Sequence, residues 1–338
     1  MTYAGLLEKA RETIGDKCKA CPVCNGRACG NKMPGPGAKG TGIVSQKNYD
    51  AWQKIEINMD TIHTNNNIDM SVELFGKKFA LPVFAGPVGA VTLHYSDKYT
   101  DMGYNDVLVS SCAKYGIAAF TGDGTNPDVM KAAGVALKAA GGMGVPTIKP
   151  WSAQMVKEKY DLVKDAKPFA VAMDVDGAGL PFLKGLNPPA GFKSESELKE
   201  VISMVDAPFI VKGIMTVEGA KKAFRAGAKG IIVSNHGGRV QDGCRATADV
   251  LPEIVKAVGK KMTVIVDGGI RCGTDIFKAL ALGADAVMIA RPFVSAVVGA
   301  ADEGIKVLLD KYKGELEDVM NMTGASKISE IKRSMIHC

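Results

Sequence analysis

One rhythm constrains this chain more than any other feature. From about residue 80 onward a short apolar run gives way to glycine or polar residues and then to a helix-period stretch. It does so eight times: "LPVFAGPVG" (81–89), "IAAFTGDG" (117–124), "VPTIKPW" (145–151), "FAVAMDVDG" (169–177), "PFIVKGI" (208–214), "GIIVSNHGG" (230–238), "TVIVDGGIR" (263–271) and "AVMIARP" (286–292). The runs are continuous in Val, Ile and Ala rather than alternating, as strands buried on both faces are, and strands separated by helices pair in parallel. Eight such units predict an α/β fold, a closed (β/α)8 TIM barrel in preference to an open doubly wound sheet. Segments 216–227 and 272–283 read as amphipathic helices that stop at glycine.

The barrel is expected over 81–338. Residues 1–80 form an N-terminal extension containing a short helix, a cysteine cluster (18–29) and a glycine-rich turn, "PGPGAKGTG" (34–42). The stretch 178–199 is longer and richer in Pro and Gly than an ordinary strand-to-helix loop and reads as a lid over the barrel mouth. The net charge of +6 is spread without a polybasic block, which argues against nucleic acid. No apolar stretch reaches the roughly 18 to 20 residues of a membrane span, and the first residues are too charged for a secretory leader. A cytoplasmic location is expected, and there eight cysteines point to metal or redox use rather than to disulfides.

In such a barrel the chemistry sits where the strands end. Six of the eight runs end in ionisable residues: Lys149, Asp174, Lys212, His236 with Arg239, Asp267 with Arg271, and Arg291. The last two runs read as an anion cradle. In "DGGIRCGTD" two glycines allow close backbone approach, a helix N-terminus offers free N–H groups, and Arg271 adds charge, with Arg291 from the neighbouring strand. A phosphate-bearing cofactor or substrate is expected there. His236 can accept a proton while Arg239 fixes a carboxylate. Lys212 could stabilise negative charge on a cofactor or form a Schiff base.

Taken together, "VKGI", "SNHGGR", "DGGIRCGTDIFKALALGA" and "ARP" resemble the FMN-dependent α-hydroxy-acid oxidases and dehydrogenases, from about residue 35 to 325. The resemblance implies FMN at the strand C-termini and oxidation of a 2-hydroxy acid, lactate-like or larger, to a 2-oxo acid. It implies His236 as base, Arg239 as partner of the substrate carboxylate, and Lys212 at the flavin N1/O2 edge. Asp174 would orient the histidine. Asp267, Gly269, Arg271 and Arg291 would hold the ribityl phosphate, Pro87, Val88 and Gly89 would run along the ring, and Thr121, Lys149, Ser234 and Gly237 would complete the cofactor site. Family members are usually homo-oligomers, so a homo-oligomer is expected. The chain departs from the family's pattern after the third strand, where a tyrosine gives way to "TIKPW". It also has no second substrate-binding arginine after Asp174 and no tyrosine near the N-terminal glycine-rich turn, and Ala290 stands where glycine is usual. One carboxylate clamp in place of two leaves room for a different substrate. An FMN-dependent isomerase or reductase on the same barrel is the alternative, and a non-catalytic flavin module a third reading.

The cysteines Cys18, Cys21, Cys24 and Cys29 are spaced C-x2-C-x2-C-x4-C, close to the bacterial ferredoxin run and also to a zinc knuckle. A metal centre is expected: an iron–sulfur cluster, which would pass electrons to an external redox partner, or a structural zinc.

Overall fold

The computed structural model describes residues 1–64, 67–183, 185–186 and 190–338. The eight runs become β1 (Val83–Ala85), β2 (Ala118–Thr121), β3 (Gly144–Ile148), β4 (Val171–Asp174), β5 (Phe209–Ile214), β6 (Gly230–Val233), β7 (Thr263–Val266) and β8 (Ala286–Ile289). Each pairs in parallel with the next, and β8 returns to β1 through Val287 on Val83 and Ile289 on Ala85, closing the barrel.

The continuous apolar character of the runs has a simple cause. Phe84, Phe120, Val145, Ala172, Ile210, Ile232, Ile265 and Met288 fill the barrel interior. Their neighbours Ala85, Ala119, Val171, Val211, Ile231, Val264 and Val287 pack outward beneath the helices, so neither face meets water. At the end opposite the site a hairpin of Val72–Leu74 and Lys77–Phe79 sets Phe79 5.0 Å from Phe84 and 5.4 Å from Phe169, ring centre to ring centre, as a floor.

Helices form at Val217–Arg225 and Gly273–Ala281, inside the two predicted segments. Thr216 caps the first by accepting from the Gly219 N–H, and both are followed by left-handed glycines, Gly227 and Gly283. The segment 178–199 is more structured than a lid alone. It makes two short 3-10 turns (Val175–Gly179 and Pro181–Leu183), and from Glu195 onward it is a barrel helix with a Ser194–Glu197 capping box. Residues 184 and 187–189 of that segment lie outside the described residues.

Residue 80 is not a packing boundary. The helix Tyr3–Ile14 lays Leu6, Leu7, Ala10 and Ile14 into the main core along the long helix Arg291–Asn321. A second helix, Ile43–Gln53, buries Trp52 completely, and its indole Nε1 donates to Gly268 O at 2.8 Å. Glu56–Ile57 pairs antiparallel with Ile336–His337. Among the described residues, no helix is long and apolar enough to cross a membrane.

Candidate active site

The site begins with an irregularity in β5. Between Lys212 and Ile214 the register against β6 slips at Gly213, whose φ of 101° places it in the region that favours glycine. A Cβ at Gly213 would strike Asp176, so the missing side chain is what lets Asp176 settle beside the strand. Lys212 Nζ then lies 3.9 Å from Asp176 Oδ1 and 4.0 Å from Asp267 Oδ2. Burial alone would push the ammonium pKa down, but Asp176, Asp267 and Asp174 outweigh it and hold it above the ordinary lysine value. Burial likewise works against the Asp176 carboxylate. Lys212 and His236 reverse that and hold its pKa well below the usual carboxylate range.

His236 follows β6 with φ 57°, a conformation that costs a non-glycine residue about 1–2 kcal/mol. Its N–H donates to Ser234 Oγ (3.1 Å), and Ser234 Oγ donates to Asp267 Oδ2 (2.8 Å). The ring's Nδ1 lies 3.0 Å from Asp176 Oδ1 and 3.4 Å from Lys212 Nζ. A carboxylate only accepts and an ammonium only donates, so the shorter contact makes Nδ1 the protonated nitrogen and leaves the Nε2 lone pair free. Burial and then Lys212 lower the His236 pKa, and Asp176 only partly offsets them. The neutral base is therefore the resting form at pH 7. The loop is clamped from the N-terminal side: Asn48 and Asn235 exchange amide hydrogen bonds of 2.7 and 2.9 Å, and Asn235 also donates to Arg245 O.

Arg239 closes the same turn. Its Nη1 donates to Gly35 O (2.6 Å) and Gly37 O (2.9 Å), so the glycine-rich turn supplies carbonyls that fix the guanidinium. Nη2 lies 3.3 Å from the ring nitrogens of His94, whose Nδ1 accepts the Gly35 N–H at 2.9 Å. Burial, and then the Arg239 charge, push the His94 pKa down to about 4. A further buried carboxylate, Asp123, accepts from Lys159 Nζ (2.6 Å), Trp151 Nε1 (2.8 Å) and the Lys149 N–H (2.9 Å), tying the turn after β3 to the turn after β2.

These groups surround one cavity of about 400 Å³, within the range that takes a cofactor-sized molecule. Ten of the sequence-predicted cofactor residues line it: Pro87, Val88, Gly89, Lys149, Lys212, Gly237, Asp267, Gly269, Arg271 and Arg291, together with His236 and Arg239. Ser234 and Thr121 do not reach its wall. Ser234 lies behind Asp267, and Thr121 is fully buried. The expectation for Asp174 is corrected. It is the last residue of β4 and accepts from Lys149 Nζ at 2.5 Å, whereas the carboxylate that holds His236 is Asp176, two residues on in the following turn. Asn48, His94, Asp123 and Asp176 were not foreseen. Only Asp176 carried a local signal, as the second acid of "DVDG".

The four cysteines Cys18, Cys21, Cys24 and Cys29 carry free thiols and line a second cavity, of about 70 Å³, whose wall includes Arg291 and Tyr95 from the first. No three of their sulfurs lie within 4.8 Å of one another. Asp174, Asp176 and His236 do bring three ligand atoms that close, but Lys149 and Lys212 already neutralise them.

Fold and site together define a closed (β/α)8 barrel whose ionisable residues gather around one cavity at the strand C-termini. A model described as FMN-dependent dehydrogenase matches residues 36–180 and 189–338, and the chain belongs to that family. A peroxisomal (S)-2-hydroxyacid oxidase of Arabidopsis thaliana is 45% identical over 42% of this chain and 39% of its own length. An L-lactate dehydrogenase of Vibrio cholerae is 43% identical over 42% of the chain and 38% of its length. The match thus spans about two fifths of these relatives. The solved structure of a mandelate oxidase superposes with a TM-score of 0.81 at 25% identity, covering 99% of this chain and 97% of that one.

The family's cofactor fits the residues present. Thr147 and Asp267 line the cavity, and Thr147 Oγ1 and Asp267 Oδ1 are buried without a hydrogen-bond partner, a pair suited to the polar edge of an isoalloxazine. Gly268 and Gly269 keep the floor beside Arg271 and Arg291 clear of side chains for a phosphate. A Cβ at Gly269 would collide with the Asn48 backbone.

Proposed function

We propose that this chain holds FMN across the barrel mouth and oxidises a 2-hydroxy acid to the 2-oxo acid. The observation that carries the reading is the His236–Asp176–Lys212 constellation facing the cavity that Arg239 closes. FMN, held by Arg271, Arg291 and the Gly268–Gly269 turn, would supply the acceptor for the substrate's α-hydrogen and its electron pair. His236 Nε2 takes the hydroxyl proton, and Asp176 balances the imidazolium that results. Arg239, steadied by the Gly35 and Gly37 carbonyls, pairs with the substrate carboxylate. Lys212 supplies fixed positive charge at the buried end of the site, where negative charge develops. Leu180, Phe182 and Leu183 give the cavity an apolar side that suits an apolar substituent on the hydroxy acid, and the segment that carries them acts as the lid. Reoxidation falls to an external acceptor. Eight free cysteines suit a reducing compartment such as the cytoplasm, and the homo-oligomer expected from the family is retained.

The test is anaerobic titration of the yellow protein with lactate, glycolate and mandelate. Bleaching by at least one of them supports the reading, and His236→Ala should keep the chromophore while losing the bleaching. Protein that refuses FMN, or that bleaches at an unchanged rate in His236→Ala, refutes it. The isomerase alternative, which predicts turnover only after prior reduction of the flavin, draws no support from the family match.

A further inference from the structure

We infer that Cys18, Cys21, Cys24 and Cys29 hold a cubane iron–sulfur cluster in the second cavity. The inference goes beyond the flavin chemistry and stands independently of it. All four cysteines line one cavity of about 70 Å³, although they come from a segment with almost no regular structure between Lys17 and Gly42. Four half-buried cysteines brought to one void by an irregular loop make a candidate ligand set.

The spacing of the sulfurs says what. A tetrahedral zinc with Zn–S bonds of about 2.3 Å draws its sulfurs to about 3.8 Å from one another. Here no three sulfurs come within 4.8 Å of one another, a looser arrangement than a single zinc draws its ligands into. A cube with iron at four corners holds its thiolates apart by its own width and leaves a cavity between them. The interval C-x2-C-x2-C of Cys18, Cys21 and Cys24 matches the part of the ferredoxin run that gives three ligands to one cube, and Cys29, on the same cavity, supplies the fourth.

The surroundings agree in charge. A cluster with four thiolate ligands is an anion, and Arg291, Lys17 and Lys32 all bound the cavity. Arg271 Nε donates to Cys24 O at 2.7 Å and fixes the third ligand's backbone. Leu7, Ile14 and Pro292 supply an apolar side to the cavity, and Asp16 is its one acidic residue. Arg291 and Tyr95 belong to both cavities, so the cluster would sit one side chain away from the arginine of the cofactor cradle.

The test is isolation of the full chain without oxygen, or its reconstitution with ferrous iron and sulfide, followed by iron, zinc and acid-labile sulfide analysis and electron paramagnetic resonance after dithionite reduction. About four iron and four sulfide per chain with a reduced-cluster signal are expected. Cys21→Ser and Cys24→Ser should each lose most of the iron, and Cys338→Ser, exposed and far along the chain, should keep it. Circular dichroism and flavin content report whether the variants still fold. One zinc per chain without sulfide, or folded protein that takes up no iron, overturns the proposal. Either result leaves substrate bleaching of the flavin as a separate readout, so failure here is distinguishable from failure of the hydroxy-acid reading.

Discussion

Replacing Asp176 by asparagine removes one charge and almost no volume, and it tests which carboxylate serves the histidine. When His236 takes a proton, its new positive charge stands 3.0 Å from Asp176 and 3.4 Å from Lys212. At an effective dielectric near 20 the attraction amounts to about 5.5 kcal/mol and the repulsion to about 5 kcal/mol, so Asp176 is what makes the imidazolium tolerable beside Lys212. Relaxation and water would recover about half of the loss. A barrier increase of about 3 kcal/mol corresponds to a rate roughly a hundredfold lower. Anaerobic stopped-flow bleaching of the bound flavin measures that step directly, with flavin content as the control. Asp174→Asn breaks the pair with Lys149 instead and should slow bleaching by no more than about tenfold, the effect of about 1.4 kcal/mol. If Asp174→Asn is the slower variant, or if Asp176→Asn bleaches at the native rate, the assignment of the proton relay to Asp176 is wrong.

Gly213→Ala should cost about 1–3 kcal/mol in stability, read by urea denaturation, and should also slow bleaching because the new methyl displaces Asp176. Arg271→Gln should lower flavin retention on a desalting column while leaving residual bound flavin reducible by substrate. Asn48→Ala, which leaves the buried Asn235 Oδ1 without its donor, should destabilise by about 1–3 kcal/mol. His94 gives a pH signature. Its folded pKa of about 4 lies below the unfolded value of 6.5, so the unfolded chain binds the extra proton. Its contribution is intact above pH 6.5 and is lost as pH falls towards 4, by at most about 3 kcal/mol. Denaturation at pH 7 and pH 4.5 should therefore show a smaller pH loss in His94→Gln than in the native protein, and equal losses would remove His94 from that account.

The barrel was legible because continuous apolar runs, strand by strand, leave little choice of period; seven runs contain their strand whole, and β3 begins one residue ahead of its run. The site was legible as far as residues lie within a turn of a strand end, which is why Lys212, His236, Arg239, Asp267, Arg271 and Arg291 fall on one cavity. The choice between Asp174 and Asp176 was not legible. Residues two apart share a face while a strand lasts, and whether β4 ends at 174 or 176 decides which acid turns towards His236. Asn48 and His94 were invisible for a different reason. Their partners Asn235 and Arg239 lie 187 and 145 residues away, and no local pattern announces such a pairing. Nor did spacing alone choose between iron–sulfur and zinc, since only the separation of the sulfurs bears on that.

The glycine-rich turn and the helix of Trp52 have a consequence for how the protein comes into being. Gly35, Gly37, Asn48 and Trp52 leave the ribosome early, yet Trp52 must wait 216 residues for the Gly268 carbonyl it will grip. Completion of the catalytic rim is therefore a late event in biogenesis, coupled to synthesis of the seventh strand. By the same token residues 81–338, transplanted as a module into another polypeptide, would carry the reactive imidazole along but leave behind the backbone that holds its neighbouring guanidinium still.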